Sequence, residues 1–223
     1  MGLNRRIAIA ALFVLLGFFV VFYAFVLFDP AKKRADVLLP NNPAGATIAS
    51  PTVTFVDPKR GGQDAKISIV EFSDYGCAYC NQVETTLNAA LRRYPDLQLV
   101  WKDLPNQTTH KEALPAALAA RCAGRQDKFW EYHDALFANQ EWLNQDLYPK
   151  IATDLGLNLA KFQACVTNGD ETPIIQRNVD EAIALGVDGT PYFFIGETRI
   201  SGQIKPAELV AILDRLEATL NRK

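Results

Sequence analysis

The sequence is short of the features that recruit nucleic acid or bind metal. Its 23 Lys and Arg against 25 Asp and Glu leave a formal net charge of −2, so no overall positive field gathers polyanions or anionic lipid. No basic stripe interleaved with aromatics appears along the chain, which removes the usual footprint of a nucleic-acid binder. Histidine is confined to His110 and His133, and cysteine to Cys77, Cys80, Cys122 and Cys165. A structural zinc site needs about four ligands, commonly two close pairs. Only Cys77 and Cys80 lie close in sequence, so no metal is expected. There is no internal repeat and no low-complexity block. Charge is absent altogether from Ile7 to Phe28.

That uncharged run would extend about 33 Å as a helix at roughly 1.5 Å per residue, enough to cross a hydrocarbon core. A cleaved signal peptide is its main rival, but the run is long for one and no small-x-small pattern follows it. Residues 1–28 are therefore expected to form a transmembrane anchor. Arg5 and Arg6 before the run and Lys32, Lys33 and Arg34 after it nearly balance, so the positive-inside rule sets no orientation. Residues 29–51, with Pro30, Pro40, Pro43 and Pro51 around Asn41-Asn42 and Gly45, read as an extended tether.

From residue 52 onward the balance of the whole chain, 49% apolar and 22% charged, suits a folded domain. Thr52 to Val56 reads as a short strand, closed by Asp57-Pro58 and a Gly61-Gly62 turn. Lys66 to Phe72 reads as a central strand, and Val83, Leu87, Ala90 and Leu91 recur at helical spacing before Tyr94-Pro95. Leu97 to Lys102 is the next strand, giving a βαβ unit whose strands should be parallel. Thr109 and Glu112 fit a capping box opening a helix to Cys122, with Pro115 expected to kink it. Helical patterns follow at 127–138, 146–155, 159–166 and 173–185, then strands at 192–195 and 198–201. An amphipathic helix closes the chain from Pro206 to about Leu220. The pattern is an α/β sheet interrupted by an all-helical insertion at about 109–185.

Cys77-Ala78-Tyr79-Cys80 sits where a buried strand hands over to a helix. Only a thiolate attacks a disulfide, and an ordinary cysteine is mostly protonated at neutral pH. At a helix start, unpaired backbone N–H groups and the positive end of the dipole favour the anion. The spacing then brings the second sulfur one turn on, so Cys77 is expected to be the exposed nucleophile and Cys80 its more buried resolving partner. Copper(I) capture and a purely structural bridge are the competing uses of such a pair.

The run Glu71-Phe-Ser-Asp-Tyr-Gly-Cys-Ala-Tyr-Cys80 resembles the active-site segment of the DsbA-like family of thioredoxin-fold disulfide oxidoreductases. Gly186-Val-Asp-Gly-Thr190-Pro191-Tyr-Phe-Phe-Ile195 is similar to that family's cis-proline loop and following strand. Gln126-Asp-Lys-Phe-Trp130 resembles the start of its inserted helical domain. The resemblance extends over about residues 52–223 and implies a thioredoxin fold with a helical insertion and no cofactor beyond the Cys77–Cys80 redox pair. It implies that Pro191 is cis beside Cys77, and that Thr190 offers its backbone to an extended client while Ala78 and Tyr79 flank the reacting sulfur. It also implies that Glu71 is a partly buried acid exchanging a proton with Cys80, and Lys102 is a candidate charge partner for that acid.

Cys122 and Cys165 fall on apolar helix faces of the insertion. Some DsbA-like proteins carry an extra bridge in this region, and a Cys122–Cys165 disulfide is expected here on that resemblance and on an oxidising compartment. The catalytic part is then expected outside the cytoplasm, acting on unfolded or reduced client proteins and regenerated by a membrane redox partner. Oxidation of clients is the favoured direction over isomerisation or reduction, because the chain offers only a tether where DsbC-like isomerases carry a dimerisation domain. His110 and His133 are expected to pack rather than to react.

Overall fold

β-Branched, aliphatic and aromatic residues concentrate in two segments, and both form strands that are nearly wholly buried: β2 (Ile67–Ser73) and β3 (Leu97–Asp103). The computed structural model describes residues 50–220 and 222. The expected anchor and all but the last two residues of the tether lie outside the described residues. Among the described residues, no helix is long and apolar enough to cross a membrane.

Strands β1 (Lys59–Gly61), β4 (Tyr192–Ile195) and β5 (Thr198–Ser201) complete a sheet ordered β1-β3-β2-β4-β5. β2 and β3 are parallel, joined through helix α1 (Ala78–Arg93), while the other neighbouring pairs are antiparallel. The period-two alternation of a strand divides the sheet's core into two sides. Ile67, Ile69, Leu97, Leu99, Phe193 and Ile195 pack with Val83 and Leu87 of α1 and Leu209 and Leu213 of α7 (Pro206–Leu220). Val70, Phe72, Val100 and Phe194 instead meet Ala182 and Leu185. Those two residues belong to α6 (Thr172–Leu185), so the helices cover both faces.

Between β3 and β4 run α2 (Ala113–Gly124), α3 (Phe129–Ala138), a short 3₁₀ turn at Gln140–Trp142, α4 (Leu147–Asp154), α5 (Leu159–Asn168) and α6. Six buried alanines make α2 thin enough for its neighbours to close around it, and Tyr132, Leu136, Phe137 and Phe162 fill the space. A disulfide joins Cys122 of α2 to Cys165 of α5 across Cα atoms 5.8 Å apart. Tyr75, Cys77, Cys80 and Trp101 belong to this same apolar cluster. The Cys77–Cys80 segment is therefore the seam between sheet and helices.

Four expectations fail here. Residues 52–56 form no strand; the strand lies beyond Pro58, at β1. The earlier segment is held by side chains: Thr54 donates its N–H and hydroxyl to Asp57, and Thr52 donates its N–H to Glu181. Gly61 is part of β1 rather than a turn, at φ +118°, where a Cβ would collide with the Leu97 carbonyl. The capping box is also absent. Asn106 Oδ1 accepts the N–H groups of Thr108 and Thr109, and the helix opens only at Ala113, with Glu112 at the cap position. Pro115 is then the third helical residue, where an N–H has no intrahelical partner, so it does no harm.

Candidate active site

The Asp74–Cys77 turn carries the reactive segment from β2 into α1. Cys77 N–H donates to the Asp74 carbonyl at 3.0 Å, and Gly76 N–H donates to Asp74 Oδ1 at 2.7 Å. Asp74 is buried, and its other oxygen accepts Asn106 N–H at 3.0 Å and lies 2.8 Å from His110 Nδ1. His110 packs so closely over Gly76 that no Cβ fits there. Gln140 ties the same turn to the helical part, donating to the carbonyls of Tyr75 and Cys77 at 2.7 and 3.0 Å. None of Asp74, His110 or Gln140 stood out in the sequence as a site residue. An aspartate two residues before a glycine was the local signal for this turn.

Cys77 occupies the N-cap of α1, with extended backbone (φ −83°, ψ 117°). Cys77 is not exposed as expected but buried, at 7% exposure, because it packs into the apolar cluster of the helical part; Cys80 lies one turn on and is fully buried, and both are free thiols. Their environments act in opposite directions. The Cys80 side chain's hydrogen bond, aided by the Cys80 and Tyr79 backbone N–H groups and the Thr190 side chain, outweighs burial and lowers the Cys77 thiol from 9.0 to about 5. Burial, the bond to Cys77 and the nearby Glu71 carboxylate push Cys80 well above its ordinary value. One sulfur is thus an anion at neutral pH and the other a thiol.

The loop before β4 faces this pair. The Thr190–Pro191 peptide is cis, and Cys77 Sγ lies 3.4 Å from the Thr190 carbonyl oxygen. Residues 187–190 form one wall of a cavity of about 400 Å³, and residues 104–108 form the other. Ala78 and Tyr79, between the two cysteines, are exposed, Tyr79 at 58%.

Beneath the cysteines lies Glu71, wholly buried, with neither carboxyl oxygen hydrogen-bonded. Burial first, then the charges of Glu84 and Cys77, raise its carboxyl well above the usual range. Ser73 lies near enough to favour the ionised form of Glu71, but its hydroxyl closes no hydrogen bond of normal geometry. Lys102 is not the partner of this acid. In the β2–β3 register Glu71 stands beside Trp101, whereas Lys102 stands beside Phe72. Alternation therefore sends Lys102 through the opposite face of the sheet. There Nζ lies 3.0 Å from both Asp57 and Glu181 and donates to the Thr52 carbonyl at 2.7 Å.

Known proteins bear on this geometry. The family model described as Thioredoxin matches residues 54–215. A Na(+)/H(+) antiporter NhaA 3 of Salinispora tropica is 34% identical over 170 residues, which is 76% of this chain but 26% of that protein. The chain thus spans about a quarter of the length of such relatives. Among solved structures, a thioredoxin-like oxidoreductase from Silicibacter pomeroyi superposes with a TM-score of 0.68 at 26% identity, covering 74% of this chain and 94% of that one. The thiol-disulfide exchange protein α-DsbA2 from Wolbachia pipientis gives 0.66 at 20% identity, over 73% and 88% of the two chains, a likeness of fold. The chain belongs to the thioredoxin family.

Proposed function

We propose that this protein oxidises client proteins outside the cytoplasm, with Cys77 as the sulfur that exchanges with the client and Cys80 as its resolving partner. The observation that carries the reading is the opposed ionisation of the two thiols beside the cis Thr190–Pro191 peptide. A client thiolate attacks Cys77 Sγ of the Cys77–Cys80 disulfide, and Cys80 leaves with the electron pair and takes up a proton. The client's second thiolate then attacks its own sulfur in the mixed disulfide, and Cys77 leaves as a thiolate. A leaving group held near 5 makes that last step fast and favours the reduced enzyme, which makes the oxidised enzyme a strong oxidant.

The remaining roles follow from this cycle. Thr190 and Pro191 present backbone to an extended client, Ala78 and Tyr79 flank the entering sulfur, and Glu71 exchanges a proton with Cys80. The Cys122–Cys165 disulfide supports an oxidising compartment. Residues 1–28 then anchor the chain in the membrane, 29–51 hold it clear of the surface, and 52–223 catalyse, with a membrane redox partner regenerating the disulfide. The test is recovery of activity by reduced, unfolded ribonuclease. The oxidised wild type restores it and Cys77→Ser does not. A Cys77–Cys80 potential near thioredoxin's, about −270 mV, would instead mark a reductase, and stoichiometric copper(I) binding without turnover would end the enzyme reading.

A further inference from the structure

Every turnover moves one proton on or off a sulfur that solvent does not touch. Cys80 is 0% exposed, and so is Glu71. A proton passed between them is still buried, so Glu71 alone completes no exchange with water. Six buried side-chain polar atoms among the described residues lack a hydrogen-bond partner: both Glu71 oxygens, Ser73 Oγ, Tyr75 OH, Glu84 Oε1 and His133 Nε2. Native interiors rarely leave such atoms idle without a reason.

We propose that Glu84, His133 and Asp134 form a proton relay linking the Cys80 thiol and Glu71 with solvent. This rests on the exchange cycle above and is independent of its direction, since oxidation delivers a proton to Cys80 and reduction removes the same one. Cys80 and Glu84 are four residues apart on α1 and both are buried, so they share one face about 6 Å apart along the axis. Glu84 Oε1 lies 3.6 Å from His133 Nε2. That is longer than a hydrogen bond but close enough for a shared proton to draw the two together. On the other side of the ring, His133 Nδ1 is 3.0 Å from Asp134 Oδ1, and the Asp134 side chain is 53% exposed. The path runs from a sealed sulfur to open solvent through a carboxyl, an imidazole and a carboxylate.

The ring is held for this work. Trp101 stands edge-on at 4.7 Å, with Phe137 and Trp130 at 5.0 Å and Tyr75 at 5.6 Å between centroids. Such a cage fixes both nitrogens in place. The titratable and charged groups around His133 are Glu84 from α1, Asp134 from its own helix, Tyr75 from the preceding turn, Arg60 from β1 and, through Glu84, Glu71 from β2. Burial raises the Glu84 carboxyl while His133 and Arg60 draw it back, so it is suited to hold a proton briefly. The three ligand atoms also lie within 4.8 Å of one another, as a metal would need. Arg60 already balances Asp134 at 2.7 Å and bonds Asn88, which in turn bonds Glu84.

The reduced full-length protein reacted with Ellman's disulfide releases one chromophore when Cys77 attacks and a second when Cys80 resolves the mixed disulfide. In His133→Phe and Glu84→Gln the ratio of second-phase to first-phase rate should fall at least tenfold, with a flattened pH profile. Asp134→Asn should lower it less, and added imidazole should restore it in His133→Ala. An unchanged ratio, both phases slowing together, or tight zinc binding abolished by the same variants overturns the relay. Should the cage variants fail to fold, Asp134→Asn alone decides by the same ratio. A wild type that shows no second phase at all contradicts the exchange cycle itself rather than the relay.

Discussion

Cys77 and Cys80 begin as the same functional group, and their surroundings alone divide the labour. One gains donors from the first turn of a helix and from its own partner; the other loses water and gains a neighbouring carboxylate. Glu71 completes the division at a cost to stability. Its folded carboxyl is raised, so its contribution is fully present below the ordinary carboxyl range and is lost as pH rises through the folded value. Glu71→Gln should therefore raise Tm more at pH 8 than at about pH 5, since each tenfold weakening of the acid on folding costs about 1.4 kcal/mol once it is ionised. An equal gain at both pH values would place the acid in an ordinary environment. The sequence showed Glu71 and Lys102 as two charges in neighbouring strands. It could not show that the register sets them on opposite faces, because one residue of offset reverses the answer.

Lys102 makes its contribution between elements. It holds the segment before β1 and helix α6 to one face of β3 through Asp57, Glu181 and the Thr52 carbonyl. Its side chain is 3% exposed, so Lys102→Met would strand two carboxylates and should cost about 3–5 kcal/mol in urea unfolding. A loss under about 1 kcal/mol would mean the pair is effectively solvated. The Cys122–Cys165 bridge spans 43 residues of the helical part, and replacing both cysteines with alanine should lower stability by about 4 kcal/mol. Calorimetry checks this, and an unchanged Tm would refute it. Element type was readable where periodicity was strong, as in β2, β3, α1 and α7. Boundaries were not readable where side chains competed for the backbone: Asn106 delayed α2 past Thr109, and Asp57 drew residues 52–56 out of a strand. The Cys77–Cys80 spacing and the Thr190-Pro191 dipeptide are local patterns, whereas Glu84 and His133 meet only through contacts across the fold.

For the whole molecule, the sheet and the helical part matter because Cys77 lies between them. The thioredoxin family match covers both, from residue 54 to 215. The longer relatives carry a similar segment as about a quarter of their length. Lowering the Cys77 thiol to about 5 stabilises the reduced state by an amount that grows with pH from about 5, is full above the ordinary thiol value, and is lost as pH falls through about 5. The most direct test is the ultraviolet thiolate absorbance of the reduced protein as pH is varied, with Cys77→Ser as reference. One thiolate should titrate near pH 5 and vanish in Cys77→Ser. A Cys77 midpoint at about 8 or above, the range of an ordinary thiol, would contradict the division of labour between the two sulfurs.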